Sequence, residues 1–269
     1  MAVSNPAREL LERGELSLGV GIRVLRSVEA AKAMKSAGFD WLFIDFEHGA
    51  LSIETAAQIC IAALDAGISP LARVPNGEYS LATRLLDNGA LGIVMPHVES
   101  AAEARTIVER LRYPPQGHRA MFTNMPQFDY LAVEDLQEQL NAANLIAVML
   151  ESANAIANAE AIAAVPGIDV LLIGTSDLCI DMGVPGDFGH ARVADAYGRL
   201  IAACRKHGKW PGMGGIYQEP MMRRYIEMGA RFILAGGDLA FLMDGAAKRA
   251  GFLRDLRPVG GCGRLGSAP

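Results

Sequence analysis

The chain has 269 residues, 51% of them hydrophobic, and a formal net charge of −5 at pH 7. Such a composition supports a large core and excludes disorder as the main state, while mixed charges without a basic stripe argue against a nucleic-acid partner. No apolar run reaches the roughly 20 residues of a membrane span, the N-terminus has no basic-then-apolar signal pattern, and Cys60, Cys179, Cys204 and Cys262 form no CxxC pair or zinc spacing, so the chain reads as cytoplasmic with free thiols.

Short apolar runs alternate with helical patterns. The predicted strands are 16–24, 41–45, 70–74, 91–95, 145–150, 169–173, 212–216 and 231–235. Most are bounded by Gly, Pro or Asp, as buried parallel strands are; the seventh is weakened by its glycines. Helical periodicity covers 52–66, 79–88, 100–112, 154–164, 193–207, 219–228 and 238–249. Ser52 offers an N-cap, and Gly38, Gly67, Gly89, Gly208 and Gly229 stand where left-handed C-caps are expected. Repeated strand-then-helix units predict an α/β fold closed as a (β/α)8 barrel rather than an open sheet. No GxG-type dinucleotide loop follows the first strand, which weighs the same way. One domain is expected over 1–255, with a mobile Gly/Pro-rich tail at 256–269. The long segment 113–144 is expected to cross the barrel mouth.

Barrel enzymes work at the C-terminal ends of their strands. The polar groups there are Asp45, Glu47 and His48, then Arg73, Pro96-His97, Glu151, the run Gly174-Thr175-Ser176-Asp177, and Gly236-Gly237-Asp238. Glu151 and Asp177 follow adjacent strands and would repel unless a cation lies between them. Hard oxygen ligands suit Mg²⁺ or Mn²⁺, with Co²⁺ also admissible; the alternative is that each caps a helix or pairs with Arg or Lys. His48 can exchange a proton near neutral pH, with Asp45 or Asp87 to orient it, or can be a satisfied polar group at a strand end. Arg73 closes a buried strand and needs a partner, from the protein or from an anionic substrate. Arg119, in the long segment, reads equally well as a surface or interface arginine. The backbone N–H groups from Gly174 to Asp177 open a helix and can receive a carboxylate. No predicted strand end carries a lysine for a Schiff base.

The segments FDWLFIDFEHG (39–49), ARVP (72–75), LLDNGALGIVMPHVES (85–100), RYPPQGHR (112–119) and VPGIDVLLIGTSDLCIDMG (165–183) together resemble the HpcH/HpaI family of class II pyruvate aldolases, from about residue 10 to 253. The resemblance implies a modified barrel of the phosphoenolpyruvate/pyruvate type, assembled as a homo-oligomer, often a hexamer with a swapped C-terminal helix. It implies a divalent metal on Glu151 and Asp177, chelated by a 2-oxo acid. His48 would be the base, Asp87 of a neighbouring subunit its possible partner, and Arg73 the holder of the keto oxygen. Backbone around Ser176 and Asp177 would receive the carboxylate. The implied reaction is reversible aldol cleavage between pyruvate, or an analogue such as hydroxypyruvate, and an aldehyde. Oxaloacetate decarboxylation, a citrate-lyase-type acyl-CoA reaction and non-catalytic ketoacid binding are the alternatives. Two departures stand out. Met149 replaces the glutamine that usually lies two residues before the metal glutamate, and cannot reproduce its hydrogen bonds. Thr175 replaces a proline and is expected to loosen its loop. The segment 212–220 also looks shifted.

Overall fold

A strand buried on both faces needs a sequence apolar on both faces, and the short apolar runs supply it. In chain order they form β1 (Ser17–Ile22), β2 (Trp41–Asp45), β3 (Ser69–Arg73), β4 (Gly92–Met95), β5 (Leu145–Leu150), β6 (Val170–Gly174), β7 (Trp210–Gly214) and β8 (Phe232–Gly237). Neighbours pair in parallel, and β8 returns to β1 to close the barrel. The computed structural model describes residues 3–256; beyond Leu256, the tail expected to be mobile lies outside them. The seventh strand is present but begins at Trp210, ahead of the predicted 212–216.

The helices are α1 (Pro6–Glu12), α2 (Glu29–Ser36), α3 (Ile53–Ala66), α4 (Tyr79–Asp87), α5 (Ala101–Leu111), α6 (Leu136–Ala143), α7 (Ala153–Ala157), α8 (Ala159–Ala163), α9 (Thr175–Asp181), α10 (Ala191–His207), α11 (Glu219–Met228) and α12 (Asp238–Asp255). Ser52 caps α3 by accepting from the Thr55 N–H at 3.1 Å, and Gly67 and Gly208 end α3 and α10 in the left-handed region. The helix expected over 154–164 is divided at Asn158 into α7 and α8.

Side chains alternate across each strand. One set fills the barrel: Trp41, Phe43, Leu71, Val94, Leu145, Ala147, Met149, Val170, Leu172, Phe232 and Leu234 form a continuous buried cluster. Trp41 stacks on Phe232 with centroids 4.0 Å apart. Gly19 makes that possible, because a Cβ there would stand 2.1 Å from the Trp41 indole. The floor is closed by α1, whose Ala7 and Leu11 join the cluster; neither α1 nor α6 was anticipated. The other set packs outward under the helices.

The structure corrects the placement of segment 113–144. It joins the end of α5 to the start of β5, so it lies at the N-terminal end of the barrel, not over the mouth. Arg112 anchors it there, bonding to the carbonyls of Asn141, Asn144 and Gly167 and to Asp169. A cavity of about 960 Å³ opens at this end beside Arg112 and Asp169. It is remote from the strand termini where the polar side chains gather.

Candidate active site

The period-two rule that fills the barrel also builds its mouth. One step beyond the apolar layers, Phe43 is succeeded by Asp45, Leu71 by Arg73, Met149 by Glu151 and Gly21 by Arg23. Asp45 is fully buried. It receives Arg73 through two bonds, Nε to Oδ1 at 2.9 Å and Nη2 to Oδ2 at 2.8 Å. It also accepts the Arg23 Nε at 2.8 Å and the backbone N–H groups of Glu47 and His48, each at 3.2 Å. Burial pushes this carboxyl up, but hydrogen bonds and charge from Arg73, the His48 N–H and the charge of Arg23 together hold it below the usual carboxylate range.

Arg73 reaches Glu47 as well, Nη1 to Oε2 at 2.8 Å. Glu47 leads to His97, Oε1 to Nε2 at 3.3 Å, and the other ring nitrogen, Nδ1, lies 3.1 Å from Glu151 Oε2. The same oxygen accepts the His97 backbone N–H at 2.8 Å. His97 holds this place with φ at 52°, in the left-handed region that non-glycine residues rarely occupy. Glu151 is only 4% exposed. Burial raises its pKa; the His97 N–H and ring oppose this, and the charges of Asp177 and Glu47 reinforce it. His48 stands at the rim, 59% exposed, its Nε2 3.9 Å from Glu47.

Gly174 ends β6 against Glu151: a Cβ would lie 2.4 Å from Oε1. Thr175 does not loosen the loop. It is buried, donates to the Gly214 carbonyl at 2.7 Å and lies 2.8 Å from the Tyr197 hydroxyl, tying β6 to β7 and α10. Ser176 donates to the Gly215 carbonyl at 3.3 Å, and Asp177 lies exposed in the first turn of α9. Met149 occupies the apolar layer directly beneath Glu151. Asp87 is not brought to this cluster. It ends α4 at the opposite pole, paired with Arg119 Nη2 at 2.6 Å. Arg23, Glu47 and His97 complete the site; Glu47 and His97 stand among the polar groups read at the strand ends but with no role assigned, and Arg23 is not among them. The two-residue alternation through Ser17, Gly19 and Gly21 was the signal for Arg23.

Arg23 and Arg73 balance Asp45 and Glu47. Glu151 and Asp177 are left with no arginine or lysine partner among the described residues. No group of three or more His, Cys, Asp or Glu side chains among the described residues is arranged to hold a metal ion, but these two carboxylates, one of them buried, supply oxygen donors and uncompensated charge of the kind a divalent cation takes. The lysines are elsewhere: Lys32 and Lys35 on α2, Lys206 at the end of α10, Lys209 before β7 and Lys248 on α12.

A profile described as HpcH/HpaI aldolase/citrate lyase matches residues 25–244. The chain belongs to the HpcH/HpaI family. It is similar to the 4-hydroxy-4-methyl-2-oxoglutarate aldolase tasA of Hapsidospora irregularis, 38% identical over 96% of this chain and 97% of that one. It is also similar to the 4-hydroxy-2-oxo-heptane-1,7-dioate aldolase of Salmonella paratyphi C, 33% identical over 96% and 99%. Among solved structures, an HpcH/HpaI aldolase from Desulfitobacterium hafniense DCB-2 superposes with a TM-score of 0.90 at 27% identity, covering 96% of this chain and 100% of that one. The protein is accordingly an aldolase, a carbon–carbon lyase of the 2-oxo-acid type, as the sequence motifs implied.

Proposed function

We propose that this HpcH/HpaI aldolase is divalent-metal dependent and cleaves 4-hydroxy-2-oxo acids to pyruvate and a carbonyl partner, or joins them. The observation that carries this reading is the buried Glu151 beside Asp177, with no arginine or lysine partner for either among the described residues, facing a mouth where Arg73 is fixed by Asp45 and Glu47. Glu151 and Asp177 would hold the ion, with Mg²⁺, Mn²⁺ and Co²⁺ as candidates. When bound, it would polarise the 2-oxo group and offset charge developing on that oxygen. Arg73 adds a second fixed positive charge that need not reorganise during reaction. His48, exposed at the rim, would take the proton from the 4-hydroxyl in cleavage, or from the pyruvate methyl in synthesis. First-turn N–H groups at Ser176 and Asp177 would receive the substrate carboxylate.

The test is pyruvate release from 4-hydroxy-4-methyl-2-oxoglutarate with each metal, then with chelator, in wild type and Glu151→Gln. Chelation and the substitution should each remove turnover, and re-addition of metal should restore only the wild type. Turnover indifferent to both would end the proposal. Exchange of pyruvate methyl protons into D₂O, lost in His48→Ala, assigns the base.

Two further readings accompany this one. A homo-oligomer, in which α12 packs on a neighbouring barrel and Asp87 approaches the neighbour's His48, is supported by the exposed apolar residues of α12 and by the distance of Asp87 from its own mouth. A cytoplasmic setting is supported by the free, buried Cys60, Cys179 and Cys204. No helix among the described residues is long and apolar enough to cross a membrane.

A further inference from the structure

Arg23 has more hydrogen-bonding capacity than the protein uses. Its Nε is committed to Asp45, while Nη1 and Nη2 make no hydrogen bond among the described residues. The side chain is 49% exposed. It is nonetheless held from both ends. One Oδ2 of the buried Asp238 accepts the backbone N–H groups of Arg23, Val24 and Leu25 at 3.0, 2.9 and 2.8 Å, clamping the loop that follows β1 to the start of α12. Asp45 fixes the near edge of the guanidinium. Asp45 itself is saturated, with five donors on two oxygens. The unused edge of Arg23 is therefore a positioned fork of N–H groups, the geometry that receives a carboxylate in two parallel bonds.

Position in the barrel says which carboxylate. Glu151 and Asp177 follow β5 and β6, while Arg23 follows β1, across the closed barrel from β5. Tyr217 lies exposed in the segment after β7, two strands from β1 round the closed barrel, and so stands on the same side of the mouth. On β1 and β7 the last inward positions within the strands are Gly21 and Gly214, which add no side-chain bulk there. With a 2-oxo group at Glu151 and Asp177, the side of the mouth opposite it is the one that carries Arg23.

We propose that Arg23, assisted by the Tyr217 hydroxyl, binds the distal carboxylate of the substrate and makes the enzyme selective for acceptors that carry an acid group. This rests on the aldolase reading above. Arg23 is a specificity determinant and need not touch the reacting carbons.

The experiment compares two kinds of probe on the metal-loaded protein. For turnover, the pair is 4-hydroxy-4-methyl-2-oxoglutarate and the neutral-tailed 4-hydroxy-2-oxopentanoate. For binding by calorimetry, the pair is 2-oxoglutarate and 2-oxopentanoate, which separates recognition from chemistry. Wild type should prefer the acid-tailed member of each pair, and Arg23→Gln should reduce that preference by about 10- to 100-fold, chiefly through KM. Arg23→Lys, which keeps the charge but not the fork, should fall between, and Tyr217→Phe should lose a smaller share. Circular dichroism checks that the variants fold. Should Arg23→Gln be poorly folded, the Lys and Phe variants carry the same ratio test. An undiminished preference in the folded variants overturns the assignment. So does equal weakening of both members, which would place Arg23 on the donor carboxylate. Wild type that binds 2-oxo acids with the expected preference but releases no pyruvate would sink the aldolase reading while leaving Arg23 as the carboxylate anchor.

Discussion

Asp45 is the residue on which the mouth is assembled, and its charge can be tested without any substrate. It lies fully buried under Arg73, which is itself nearly buried. Replacing it by Asn keeps the volume but leaves two guanidiniums short of a negative partner, and breaking a buried pair costs about 3–5 kcal/mol. Urea unfolding of Asp45→Asn at neutral pH should show a loss of that size. The pH dependence follows from the direction of the shift. The folded-state carboxyl is held below its ordinary value, so the folded protein releases this proton more readily than the unfolded chain. Its stabilisation is complete above the unfolded pKa, near 4, and disappears as pH falls through the lower folded value. The difference in unfolding free energy between wild type and Asp45→Asn should therefore shrink in acid below about pH 4. A constant difference down to the lowest accessible pH would show that the ionised carboxylate is not what holds Arg73.

At the scale of the element, the end of β6 governs the candidate metal ligand. Gly174 has an ordinary φ of −82°, so alanine is tolerated by the backbone there; the conflict is with Glu151, whose Oε1 would stand 2.4 Å from the new Cβ. Because the His97 N–H and ring fix the other oxygen, the carboxylate has little freedom to retreat. Gly174→Ala should weaken Mn²⁺ binding by about 10- to 100-fold and cost about 1–3 kcal/mol through overpacking. Gly198→Ala is the control: it lies inside α10 with open space around it, and should gain about 0.5–1 kcal/mol with metal affinity unchanged. Thr175→Val should cost about 1–3 kcal/mol, since it removes the buried hydroxyl that donates to the Gly214 carbonyl and meets the Tyr197 hydroxyl. The strands were legible because uninterrupted apolar runs are what a doubly covered parallel sheet requires. Where the run was interrupted by Gly212 and Gly214, the seventh strand was read late. Asp45, Arg73 and Glu151 were legible because each ends such a run. Arg23 was not, because the first run was carried through to residue 24 and concealed that the strand stops at Ile22. Nor does length reveal which pole a connection crosses, which is why the segment before β5 was placed over the mouth.

At the scale of the whole molecule, one helix is held to its own barrel only near its start, where Asp238 binds the loop after β1 and Phe241 stacks on Phe39. In α12 only Asp238 is buried, while Leu239, Phe241, Leu242, Met243, Phe252 and Leu253 are each between 45% and 59% exposed. A monomer rarely leaves such an apolar surface open, and a second copy of the chain would cover it symmetrically. Asp87 presents the complementary problem. Its only ion pair among the described residues is with Arg119 at the pole opposite its own site, so any catalytic part it plays must be in another subunit's site. These two observations make a joint prediction. Leu242→Glu should reduce the particle mass seen by light scattering and lower turnover together. Asp87→Asn, which retains an acceptor for Arg119, and Glu151→Gln should each be inactive alone. Co-expressed in equal amounts, they should recover about a quarter of wild-type activity, because random assembly pairs an intact Glu151 with a neighbour's intact Asp87 at that share of sites. Full activity in Asp87→Asn alone, or no recovery in the mixture despite mixed particles, would confine each active site to a single chain and leave the apolar face of α12 to some purpose other than building it.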